Sequence, residues 1–149
     1  MGFENIKTVF TIHNIQYQGK YGDELLNDVL GIAPEHNNLI MYDGLVNFMK
    51  AGIECANKVT TVSPTYAKEI LDPWYSHGLD PILNQRSWKL CGILNGIDTD
   101  SYNPETDKDI WANYNADDFS NKAKNKAELQ KMMGMNVDAD VPVVGIVSR

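Results

Sequence analysis

The sequence predicts an α/β fold with a mostly parallel sheet, on three observations. Four short runs rich in β-branched residues have strand character: 8–12 (TVFTI), 58–62 (KVTTV), 91–94 (CGIL) and 141–147 (VPVVGIV). They are nearly continuously apolar rather than alternating, which suits strands covered on both faces. Stretches with a helical period separate them, and strands alternating with helices at this spacing build parallel sheets.

The first strand, 8–12, runs without a turn signal into His13 and Asn14. The stretch 42–56 reads as a helix, with Leu45, Val46, Met49 and Ile53 at helical spacing, and leads directly into the second strand. Ser63 is then expected as an N-cap and Pro64 as the first helical residue, where its missing N–H costs nothing. A weaker helix spans 77–86, with Pro81 confined to the first turn. Beyond the third strand, 99–118 is polar and turn-rich and reads as a linker or surface excursion. On a 3.6-residue repeat, Phe119, Ala123, Ala127, Leu129 and Met133 share one face of a helix over 118–133, which Gly134 ends. A crossover helix ordinarily follows a parallel strand, so the run at 141–147 suggests a polypeptide that continues past Arg149.

The chain has 149 residues, in the range of one domain, and 43% of them are hydrophobic, enough to build a core. A net charge of −7 argues against nucleic acid as a partner, because neutralising phosphates needs a basic face. The one basic run, 121–131, reads as the solvated side of a helix. Cys55 and Cys91 sit in apolar stretches without partners at metal-ligand spacing, and are expected as small buried residues in a reducing cytosol. No apolar run approaches the ~20 residues of a bilayer span, and 1–9 lacks the pattern of a secretory signal. A cytoplasmic protein with no membrane partner is the expectation. Trp74, Trp88 and Trp111, each flanked by polar residues, are expected to be partly buried, and Lys50 to be solvated on a helix exterior.

Ligands of open α/β sheets bind beyond the carboxyl ends of the strands. A strand over 8–12 delivers His13 and Asn14 to that rim, and Tyr17, Gln18 and Gly19 follow within one loop. The run 94–98 (LNGID) repeats the order of apolar strand, amide and glycine, with Asn95 and Gly96 in the matching places; an Asn-Gly turn is the plainer reading of that pair. If the first and third strands end side by side, an imidazole and two carboxamides present neutral donors and acceptors suited to sugar hydroxyls. No G-x-G-x-x-G follows the first strand, which argues against a dinucleotide-dependent oxidoreductase.

Five stretches, TVFTIHNIQYQG, FMKAGIECANKVTTVSPTYAKEI, GLDPIL, GILNGID and VVGIVSR, occur in this order from about residue 7 to the end. Together they resemble the central part of bacterial glycogen synthases and plant starch synthases, which are ADP-glucose-dependent α-1,4-glucan glucosyltransferases. Each motif is weak alone, and five in register are specific.

The resemblance implies part of a GT-B architecture, in which two Rossmann-like domains face each other across a cleft. On that basis 1–94 would be the C-terminal half of the acceptor-side domain, 95–117 the interdomain crossing, and 118–149 the first helix and strand of the nucleotide-binding domain. His13 matches the family's cleft histidine, which hydrogen-bonds the donor glucose, and Asn14 matches its neighbour on the same rim. Asn95 and Gly96 match a hinge pair close to the donor sugar, and Arg149 matches the arginine that opens the diphosphate loop. Tyr17 and Gln18 are candidates for acceptor contact, with loop packing an equal alternative.

The implied reaction carries glucose from ADP-glucose to the non-reducing end of an α-1,4-glucan. ADP-glucose is a co-substrate, and no cofactor or metal is implied. Three family features are absent: the Lys-x-Gly-Gly-Leu motif, the lysine of the diphosphate loop and the downstream glutamate motif. WYSHGLD also departs from the family pattern and leaves His77 as a surface histidine without a family role. A piece of this extent would hold one wall of the cleft, be inactive by itself, and tend to self-associate through an unfinished sheet. A non-catalytic module that binds glucan or nucleotide is the competing reading, and a plant source would place the protein in plastids.

Overall fold

A computed structural model describes residues 5–148. The chain forms two units, Met1–Asn95 and Gly96–Arg149. In the first, the elements run β1 (Val9–Ile12), β2 (Lys20–Tyr21), α1 (Asn37–Ile40), β3 (Met41–Tyr42), β4 (Leu45–Asn47), α2 (Phe48–Cys55), β5 (Lys58–Thr61), α3 (Pro64–Glu69), α4 (Asp80–Gln85) and β6 (Leu90–Gly92). Strands β1, β5 and β6 make a parallel sheet in the order β1-β5-β6, with Phe10 beside Val59 and Thr60 beside Cys91. The fold is therefore α/β on a parallel sheet, and three of the four expected strands form it.

The strand order corrects one expectation. β1 and β6 do not end side by side, because β5 lies between them. Its Val59, Thr60 and Thr61 are all buried, and a strand covered on both faces takes the centre of a sheet.

The stretch 42–56 is not one helix. Its first part is a hairpin: β3 and β4 pair antiparallel around Asp43-Gly44, and β2 pairs the other side of β4. Asp43 and Gly44 both have positive φ, 49° and 75°, as a two-residue hairpin turn demands. Asn47 then ends β4 and caps α2, its side-chain oxygen accepting the Lys50 backbone N–H at 2.9 Å. Helix α2 packs Met49 and Ile53 into a core with Ile12, Ile15, Val59, Ile70, Leu79, Ile82 and Leu83.

Helix α3 starts as expected, with Ser63 accepting the Tyr66 N–H at 2.9 Å and Pro64 in its first turn. Helix α4 is shorter than 77–86 and begins at Asp80. Gly92 lets β6 slide beneath α3, since a Cβ there would meet the Ser63 carbonyl oxygen at 2.0 Å.

Two lysines are buried. Lys50, expected in solvent, instead donates to the Asn38 carbonyl. Lys89, 3% exposed, donates to the Glu54 and Ala56 carbonyls at 3.0 and 2.7 Å, capping the end of α2. Beside it, Arg86 pairs with Glu54 at 2.7 Å.

Other side chains are more exposed than expected. Cys55, at the end of α2, and Cys91, on the outer strand β6, both reach solvent. Trp74, Trp88 and Trp111 lie on the surface, in turns and short loops outside the core. Among the described residues no helix is long and apolar enough to cross a membrane.

The second unit holds α5 (Lys122–Met132). It begins four residues later than expected, because the Asp118 carboxylate accepts the Ser120 N–H at 2.9 Å and closes a local turn that competes with helix. Gly134, at φ +67°, ends it. The expected apolar face is largely in solvent at Phe119 and Met133. The residue α5 buries is Gln130, whose carboxamide donates to the Asp138 carbonyl (3.1 Å) and accepts the Asp138 N–H (3.2 Å). Residues 141–147 form no strand. A strand needs a neighbouring backbone to pair with, and Val144, Ile146 and Val147 stand exposed.

Candidate functional site

Where β1 ends, its last residue is tied to the centre of the sheet: the Thr61 hydroxyl donates to the Ile12 carbonyl at 2.8 Å, buried. His13 and Asn14 follow, both with exposed side chains. Their exposure comes from the pleat and from what happens next. Ile15 drops into the core, and its N–H donates to the Tyr66 hydroxyl of α3 at 3.2 Å. The chain is thus pinned on either side of the two polar residues. Asn14 shapes the loop itself: its side-chain oxygen accepts the Gln16 N–H at 2.9 Å, and its carbonyl accepts the Tyr17 N–H at 3.3 Å.

Tyr17 and Gln18 diverge. The Tyr17 ring is 76% exposed, whereas Gln18 is 5% exposed. The Gln18 carboxamide accepts from Asn47 at 2.8 Å and donates to the His77 carbonyl at 3.0 Å. Both its ends are engaged within the fold, so Gln18 braces the loop in this structure. Gly19 completes the turn at φ +65°, and a Cβ there would press on the Phe48 side chain at 3.2 Å. The Phe48 and Met49 N–H groups donate to the Gly19 and Gln18 carbonyls at 3.1 and 3.0 Å, fastening the loop to the start of α2. His77 is a surface residue with φ +50°, and its backbone contribution is the carbonyl that Gln18 uses.

On the far side of the sheet, β6 ends at Gly92, and the Ile93 N–H donates to the Thr61 carbonyl at 2.8 Å. One strand separates β1 from β6, so their ends stand about 10 Å apart at ordinary strand spacing. Asn95 follows in irregular backbone with an exposed side chain. Asn95 and Gly96 make no turn: Gly96 has no positive φ, and a Cβ on it would meet nothing within 4 Å. The tight local structure comes two residues later. Asp98 accepts the Ser101 N–H at 2.9 Å, the Ser101 hydroxyl at 2.8 Å and the Asp100 N–H at 3.1 Å. These bonds, the Ser101 N–H foremost, hold its carboxyl below the usual carboxylate range. Arg149 lies outside the described residues.

Reasoning from sequence missed the residues that hold this rim. Tyr66 was visible only as a member of a capped helix, and Asn47 as a position inside a longer one. The Asp43-Gly44 pair, a strong hairpin dipeptide, was the signal that would have ended the helix early and exposed Asn47 as a cap.

Comparison with known proteins identifies the family and the fold. The family model described as the starch synthase catalytic domain matches residues 1–85. Glycogen synthases of Streptococcus mutans serotype c and Exiguobacterium sibiricum are 48% and 50% identical over 149 and 150 residues, covering 99% of this chain and 31% of their own lengths. The catalytic domain of starch synthase IV from Arabidopsis thaliana, solved bound to ADP and acarbose, is 40% identical with a TM-score of 0.76, over 91% of this chain and 28% of that one. The chain therefore spans about a third of the length of the curated relatives it matches, and its parallel α/β sheet is part of a GT-B fold. With more than half its residues under one family model, a clamped strand end and the same fold in a solved relative, the chain belongs to the starch synthase catalytic domain family.

Proposed function

We propose that the protein carrying this chain transfers glucose from ADP-glucose to the 4-hydroxyl at the non-reducing end of an α-1,4-glucan, with retention of anomeric configuration. The bond from the anomeric carbon to the diphosphate oxygen breaks, and its electron pair leaves with ADP. A new bond forms from that carbon to the acceptor oxygen, whose proton passes to the departing diphosphate. His13 hydrogen-bonds the donor glucose next to the reacting carbon, and Asn14 orients the same sugar. Asn95 and Gly96 contact the donor from the hinge, and Arg149 stabilises the diphosphate as charge builds there. Residues 95–117 form the crossing to the nucleotide-binding domain that 118–149 opens. The setting is the cytoplasm of a bacterium.

One observation carries this reading: an exposed imidazole and amide at the carboxyl end of a parallel strand, held on a loop braced by Tyr66, Gln18 and Asn47. Such preorganised neutral groups are what positioning a sugar requires. The ADP and acarbose bound to the Arabidopsis thaliana starch synthase IV domain support the choice of donor and acceptor class.

The test is transfer of labelled glucose by the full-length protein. His13→Ala is expected to lower kcat by about a hundred-fold or more. Wild-type turnover in that variant would overturn the reading. The 149-residue chain by itself is expected to extend no glucan above background.

A further inference from the structure

Three aromatic side chains stand in solvent around the loop that leaves His13, and the reaction as assigned above uses none of them. Tyr21 on β2 is 54% exposed and Phe48 at the start of α2 is 39% exposed. Their ring centroids lie 5.8 Å apart at an interplanar angle of 79°, an edge-to-face pair. Tyr17 is two residues before Gly19, the residue against which Phe48 closes.

Topology puts this group on the same rim as His13. Parallel β1 and β5 are joined by a crossover, so α2 runs back against them, and its first residues lie at the carboxyl end of the sheet. The Phe48 N–H on Gly19 and the Met49 N–H on Gln18 fix that placement.

Phe48 keeps its place without any polar partner, and its contact with Tyr21 leaves ring surface of both residues uncovered. Perpendicular rings make a corner, one wall offering a face and the other an edge. A pyranose is matched to such a corner: its axial C–H groups form an apolar face, while its equatorial hydroxyls remain at the rim. The Tyr17 and Tyr21 rings each carry a hydroxyl that can donate and accept.

We propose that Tyr21 and Phe48, with Tyr17, form a subsite that stacks a glucosyl unit of the acceptor chain and so leads its end toward His13. The proposal rests on the glucan-transfer reading above and adds specificity-determining residues to it.

Steady-state kinetics of the full-length protein with maltoheptaose and ADP-glucose test it. Tyr21→Ala is expected to raise the maltoheptaose KM about ten-fold, with kcat and the ADP-glucose KM within about two-fold of wild type. Tyr21→Phe, which keeps the ring, is expected to stay near wild type. Should Tyr21→Ala not fold, Tyr21→Leu keeps contact with Phe48, removes the aromatic face and is expected to show the same KM shift.

An unchanged maltoheptaose KM in Tyr21→Ala or Tyr21→Leu overturns the subsite, as does a Tyr21→Phe variant as impaired as the alanine. If His13→Ala abolishes turnover while the Tyr21 variants bind glucan normally, the subsite alone falls. If His13→Ala retains turnover, the reading of the reaction falls; calorimetry of maltoheptaose on wild type and Tyr21→Ala then decides the subsite, weakened binding supporting it and equal binding overturning it.

Discussion

Lys89 reaches from the turn before β6 to the last carbonyls of α2, a cation at a helix C-terminus, where the backbone carries partial negative charge. Burial first, and Arg86 next, push its ammonium below the ordinary lysine value of 10.5, against smaller pulls from Glu54 and Cys55. Removing the amine by Lys89→Met leaves two carbonyls unpaired and is expected to cost about 2–3 kcal/mol at neutral pH, measured by urea unfolding. The sign of the pH dependence follows from linkage. Between the lowered folded value and 10.5 the unfolded chain holds more protons on Lys89 than the folded one, so stability rises with pH across that window. The difference between wild type and Lys89→Met should therefore widen as pH rises toward 10.5, and a flat difference would contradict it. None of this was legible in SWKLCG, where a lysine after a tryptophan reads as surface. Burial of Lys89 is decided by a helix end arriving from more than thirty residues away, and that of Gln18 by Asn47 and the His77 carbonyl, 29 and 59 residues away. The exposed place of His13 at the strand end was legible because its clue was local, a polar pair terminating an apolar strand.

Among the elements, the short hairpin between α1 and α2 shows two patterns competing for one stretch. Val46, Met49 and Ile53 satisfy a helical period, yet Asp43-Gly44 fixes a turn and Val46 is buried from a strand. Turn chemistry won because both central residues take positive φ, which a continuous helix excludes. Strands β1, β5 and β6 carried no such conflict and were readable to within two residues. Asn47 joins the hairpin to the loop below His13, so Asn47→Ala removes the α2 cap and leaves Gln18 without its donor. A loss of about 2 kcal/mol is expected, together with faster amide exchange at Lys50, whose N–H bonds to the Asn47 side chain. Gly92→Ala should cost about 3 kcal/mol, because backbone at 2.0 Å cannot yield as a side chain can. Thermal unfolding checks both, and a Gly92→Ala protein as stable as wild type would mean that β6 and α3 can separate freely.

At the scale of the molecule, the two units differ in how far their sequence determines them. The first has a cluster of nine buried core residues and a sheet whose centre is covered. The second has α5 and a run, 141–147, that pairs with no strand among the described residues, which local propensity alone does not reveal. Exposed Val144, Ile146 and Val147 are the surface through which we propose that copies associate. Val144→Lys with Ile146→Lys is expected to abolish concentration-dependent association of the 149-residue chain in sedimentation, with the unfolding midpoint of the first unit unchanged. Association that persists in the double variant would assign it to another surface.

The placement of β5 between β1 and β6 sets a gauge for whatever is handled there. Two inter-strand steps, about 10 Å, separate the points where β1 and β6 run out. An inorganic ion or one bridging water is too small to be grasped from both banks at once, whereas a hexose carried on its leaving group is broad enough. If the proposed transfer holds, the middle strand sets the breadth a donor sugar must have to meet both banks.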